Sequence, residues 1–159
     1  MRRIIVLIAI LLPVATYAHI PAIEQLGKEM SKYENVEYDS VGSVMLGMAQ
    51  TFASKEQRST FKMLDHIDLI ECKSPTHEKT LEQRTLAIAR NIGAEYLASS
   101  TDQRGRNDVY VLKQGDVVKE VIIITHGKDG GLGVVAMSGT IPIERLGELS
   151  TLSRPDKRQ

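Results

Sequence analysis

The sequence predicts an α+β domain: a mainly antiparallel sheet with a C-terminal β-meander and helices packed on one face. Three observations carry this. Residues 107–142 hold three runs rich in valine and isoleucine, at 109–112, 117–125 and 132–137, separated by Gln114-Gly115-Asp116 and by a glycine-rich segment at 126–131. β-Branched runs joined by short Gly-containing turns are the pattern of a meander. The first half of the chain alternates helical and strand periodicity while the second places four strands in succession, which argues for α+β. Finally, two of the runs are apolar in both phases, with Val118, Ile122 and Ile124 against Val117, Val121 and Ile123. Such strands belong at the centre of a sheet, covered on both faces or with one face given to an interface.

Residues 1–18 read as a secretory signal peptide. Arg2 and Arg3 form the basic start, Ile4 to Leu12 the apolar run, and Ala15-Thr16-Tyr17-Ala18 the small-residue site for cleavage after Ala18. The apolar run falls well short of the roughly 20 residues that span a bilayer. No cysteine lies near the site to take a lipid, so no stable membrane anchor is expected after cleavage, and the chain is expected to be periplasmic or secreted. Loss of Arg2 and Arg3 leaves 18 basic against 20 acidic side chains. That balance lacks the positive field by which nucleic acid or strongly anionic membranes are held, and no nucleic-acid partner is expected. Residues 19–152 are expected to form one domain, large enough to bury about two-thirds of its unfolded surface. Residues 153–159 have no apolar side chain to hold them and are expected to be a flexible tail. Cys72 is the single cysteine, so there is no internal disulfide.

Taken in order, Ile23, Leu26, Met30 and Tyr33 recur at helical spacing and predict an amphipathic helix over 21–33, broken by Glu34-Asn35. Residues 36–41 read as a short strand. Ser43 is the expected cap of a second helix, with Val44, Met45, Met48, Ala49 and Phe52 facing the core. Ser54 is expected to cap a further helical piece over 55–64. The strand at 67–73 places His66, Asp68, Ile70 and Cys72 on one face and Ile67, Leu69, Glu71 and Lys73 on the other. Ser74-Pro75 starts a helix that runs to Ile92 and stops at Gly93. A strand over 94–101 then leads through a polar loop at 101–107 into the meander. After Ser138-Gly139 and Pro142 the closing helix, 143–152, turns Ile143, Leu146 and Leu149 inward.

No catalytic, cofactor-binding or metal-ligating residue is expected. His66, Asp68 and Cys72 on one strand face, with His77 close behind, have ligand chemistry, but their spacing matches no zinc module, and Cys72 reads as a small buried hydrophobe. The methionine pair Met45 and Met48 has no histidine beside it and reads as packing. His19, at the expected mature N-terminus, is a weak copper candidate. The loop from His126 to Gly133 resembles a phosphate cradle in composition only. It joins two strands, lacks a following helix and ends without lysine-serine, so its glycines read as turn residues. No G-x-S-x-G elbow and no H-E-x-x-H helix is present, and no nucleophile, base and orienting group can be assembled from motifs. The absence of Trp disfavours a sugar-binding platform.

The order of features also carries a resemblance. Met30-Ser31-Lys32-Tyr33 at the end of the first helix, the segment 40–49, the strand at 67–72, VYVLKQGDVVKEVIIIT from Val109, and MSGTIPIERLGEL from Met137 together resemble an exported, Bacteroidetes-type family catalogued as domain of unknown function 4252. The likeness covers about residues 24–150. It implies the fold and an envelope location and brings no agreed activity or catalytic residues. Many members look like lipoproteins, a feature that this sequence lacks, and some are associated with envelope signalling. The expectation is therefore an exported non-catalytic protein, without cofactor, that binds an envelope protein or itself; the alternative is a carrier for a small apolar ligand such as a lipid.

Overall fold

A computed structural model describes residues 20–152. The expected signal peptide, His19 and the expected tail lie outside the described residues. The elements are α1 (Pro21–Met30), β1 (Val36–Gly42), α2 (Ser43–Phe52), α3 (Lys55–Phe61), β2 (Leu64–Cys72), α4 (Pro75–Ile92), β3 (Glu95–Thr101), β4 (Gly105–Gln114), β5 (Val117–Gly127), β6 (Leu132–Pro142), a 3-10 turn (Ile143–Arg145) and α5 (Leu146–Leu152). The strands form one sheet in the order β1-β2-β6-β5-β4-β3, with every neighbouring pair antiparallel. The α+β class and the C-terminal meander are as the sequence predicts.

The two strands that are apolar in both phases, β5 and β6, are the central pair. On one face, here the helix face, Ile70, Cys72, Ile122, Ile124, Val134 and Ala136 are buried beneath Ile23, Leu26 and Met30 of α1 and Leu81 and Ala89 of α4. Each such Leu or Ile contributes on the order of 1.5–3 kcal/mol of burial, so this layer holds the domain together. α4 begins at Pro75 and ends where Gly93 turns left-handed at φ 80°, returning its amide to Ala89 and Arg90. The opposite face is covered at one end only. There Leu46 of α2, Met63, Leu64 and Leu149 of α5 bury Val111, Val118, Val121, Met137 and Ile141. α1 and α4 thus lie on one face, whereas α2, α3 and α5 close a corner of the other, so the helices are not confined to one face as the sequence predicts.

Several local expectations are corrected. The stripe of α2 faces outward: Val44 is 76% exposed, Met45 54%, Met48 57% and Phe52 92%, and Leu46 is the residue that anchors the helix. Ser43 lies inside α2, which Gly42 precedes without a side-chain cap, and Ser74 likewise makes no cap bond to α4. Ser54 does cap α3, in a reciprocal box with Gln57. α1 stops at Met30, and Tyr33 beyond it is half exposed and stacks on His77 with ring centroids 4.2 Å apart. Ile143 sits in the 3-10 turn and is largely exposed, while Leu149 points inward as expected.

Candidate functional site

His126 lies next to the end of β5 at Gly127, and the glycine-rich segment that follows is a tight hairpin turn. Gly127 donates to Gly131 O at 2.9 Å and Gly130 to Gly127 O at 3.2 Å, while Gly130 and Gly131 take φ of 94° and 93°. Those angles require glycine, so the turn explains the composition. The Gly131 amide, which a phosphate would need, donates to the Glu78 carboxylate of α4 at 2.9 Å. An anion there would have to displace a carboxylate.

The residues with ligand chemistry are dispersed. Cys72 is buried, and its thiol lies 3.5 Å from Ser74 O. His77 stacks on Tyr33. His126 Nε2 sits 3.5 Å from Glu82 of α4 and 3.4 Å from Asp108, without hydrogen-bond geometry to either. Burial of Asp108 pushes its carboxyl up, but bonds from Ser99 and Arg106 and the nearby His126 outweigh this and hold it below the ordinary range. The Arg106 guanidinium reaches Asp108 at 2.7 Å. This group ties α4 to the meander and is open to water at Arg106. Among the described residues, no group of three or more His, Cys, Asp or Glu side chains is placed to hold a metal ion.

A largely buried polar row, of which sequence reasoning brought together only His66 and Asp68, lies on the helix face across β1, β2, β6 and β5. Asp68 is fully buried and accepts from the Tyr38 hydroxyl at 2.8 Å. His66 Nε2 lies 2.9 Å from Ser40 Oγ and 3.2 Å from Asp68 Oδ1. A Ser-His-Asp relay addresses serine and aspartate through different ring nitrogens; here both partners meet at Nε2 and compete for it. One register step along, Ser138 donates to Glu120 on β5. Desolvation by burial is the main cause that raises the Glu120 acid to about 7, and the neighbouring carboxylates Asp65 and Asp68 add to it against the Ser138 bond. The Tyr38 hydroxyl is pushed up to about 12, chiefly by burial. The available signal was that His66, Asp68, Ser138 and Glu120 fall in the phases that the flanking buried residues occupy.

The other sheet face carries a concavity of about 800 Å³. Val41 of β1, Ile67 and Leu69 of β2, Val135 of β6 and Ile123 of β5 form its floor, each only half-buried. Met45 and Leu149 bound one end, and Thr125, Gly127 and Gly130 to Gly133 the other. Asp39 and Glu71 stand on the rim beside β1, with Lys73 near them. The floor exists because β2 and β5 carry a second apolar phase, of which α2 and α5 bury Val121 and leave Ile67, Leu69 and Ile123 half-buried. Polar groups along it are few, and its chemistry is that of a surface that binds apolar matter.

The fold and this surface together define an antiparallel α+β domain whose sheet is sealed by two helices on one face and left concave and apolar on the other. The chain belongs to the DUF4252 family, described as a domain of unknown function, which matches residues 29–149. The match runs from the last turn of α1 into α5 and so takes in the whole sheet. No curated protein and no solved structure matches the chain.

Proposed function

We propose that this chain is an exported, periplasmic, non-catalytic protein that binds an envelope protein or another copy of itself through the open face of its sheet. The observation that supports the reading is the half-buried floor at Val41, Ile67, Leu69, Ile123 and Val135, continuous with the exposed methionines of α2. Contiguous apolar patches on a soluble domain mark binding surfaces, since leaving them in water costs about 25 cal/mol per Å². The test is capture from envelope extract by the native chain and by Leu69→Lys, which places a charge on the floor without entering the helix-face core. Capture or self-association that is lost in the variant, with an unchanged melting curve, supports the reading. Equal capture and self-association by both chains, or neither by either, overturns it.

The volume of the groove favours a second reading, a carrier for a small apolar ligand such as a lipid, because ligand sites commonly measure about 300–1,000 Å³. Native mass spectrometry of protein purified from the envelope decides between them. A co-purified lipid released by Leu69→Lys supports the carrier, and a bare chain removes it.

A further inference from the structure

We propose that the occupant of the open face is a second copy of this chain, joined by a two-fold exchange in which α2 of each copy lies on the groove of the other. This rests on the reading of the face as a binding surface and names its partner.

The groove and the helix are two halves of one fit. On α2, Val44, Met45, Met48 and Phe52 form a protruding apolar stripe exposed at 76%, 54%, 57% and 92%, although the helix contains no charged residue to solvate it. Met45 also lines the groove, so the protruding stripe and the concave floor are continuous. A knob and a hole side by side on one surface are self-complementary: a two-fold rotation that brings one copy's stripe onto its partner's floor brings the reverse pair together at the same time.

Charge selects the same pairing. Glu37, Asp39 and Glu71 alternate out of phase with buried Val36 and Cys72 and partly buried Tyr38, and so stand on the groove face; Glu37 is directly opposite Glu71 in register. Like charges so placed repel. Lys73 approaches Glu71 only to 3.9 Å. The chain segment that follows the α2 stripe is basic: Lys55, Arg58 and Lys62 are all exposed, with Glu56 as the acidic residue among them. An apolar stripe followed by cations is what an apolar floor with an acidic rim requires.

Sedimentation velocity over a hundredfold range of protein concentration tests this. The native chain is expected to reach the mass of two chains. Met48→Glu combined with Phe52→Glu is expected to hold it at one, with an unchanged circular dichroism spectrum because both side chains are exposed. Glu37→Lys with Glu71→Lys in one chain, and Lys55→Glu with Lys62→Glu in another, are each expected to weaken self-association about tenfold, the scale of a few rim charge pairs. An equimolar mixture of the two is expected to restore it, because both halves of the mixed pair again join opposite charges. A native chain that stays single, a dimer indifferent to the α2 changes, or a mixture no tighter than its components overturns the proposal. If the native chain is single while Leu69→Lys still abolishes capture of another envelope protein or of a lipid, the partner named here is wrong and the binding face stands. If nothing is captured either, both fail.

Discussion

Glu120 is a carboxylic acid that the fold holds in a place better suited to its neutral form, and Glu120→Gln measures the consequence. Burial raises its pKa from 4.5 to about 7. In the unfolded chain the same group ionises in the ordinary range. The folded state therefore binds the proton more tightly, so its stability is greatest below about pH 4.5, declines as pH rises through 7, and levels off above. A displacement of that size corresponds at most to roughly 3 kcal/mol. Water that still reaches part of the carboxylate screens it, and about 1–2 kcal/mol is the expected penalty at pH 8. Glutamine keeps the shape and can still accept the bond that Ser138 donates to Glu120, but it carries no charge. The variant is thus expected to be about 1–2 kcal/mol more stable than the native chain at pH 8, roughly 3–8 °C in melting temperature for a domain of this size. At pH 4 the two are expected to coincide. Thermal melts of both chains at half-unit intervals from pH 4 to 8 give the difference curve, in which other titrating groups cancel. A difference that is flat with pH, or a variant less stable at pH 8, would show that the carboxyl is not held as the geometry implies.

Gly139→Ala is expected to cost about 2–4 kcal/mol in urea unfolding, because the new methyl would lie 2.0 Å from Met63 O, a backbone atom of the neighbouring strand entry that cannot swing aside. A loss below about 0.5 kcal/mol would mean that β6 and the start of β2 are farther apart than described. Cys72, buried under α4, is expected to react with a thiol reagent only at the rate of unfolding; fast labelling of the folded chain would place it at the surface. Ser54→Ala removes one arm of the capping box on α3 and is expected to cost about 1 kcal/mol by chemical denaturation. No change there would refute the cap.

Sequence reasoning was strongest where a signal is local. Pro75 and Gly93 bracket α4 because one residue loses no needed amide at a helix start and the other accepts a left-handed angle at its end. The meander was legible because its turns carry Gly115, Gly130 and Gly131, all at positive φ. The reading failed at α2. Its stripe announces a surface that must be covered, yet spacing alone does not say whether the cover is the same chain, and in this fold the sheet under α2 is reached by Leu46 instead. Most of the buried polar row was missed for a related reason. Asp68 and Glu120 look like any charged residue in a strand until the register sets Tyr38 beside the first and Ser138 beside the second.

The sequence by itself determined the class, the family and the central place of β5 and β6, because two apolar phases in adjacent β-branched runs leave few positions in a sheet where both can be buried. Tertiary structure alone decided that one of those phases stays half uncovered, that a stripe of methionines faces outward beside it, and that three carboxylates, Asp68, Asp108 and Glu120, are buried. Each of these depends on which distant segment arrives over a given strand. That is a property of chain packing, and periodicity along a single element does not carry it.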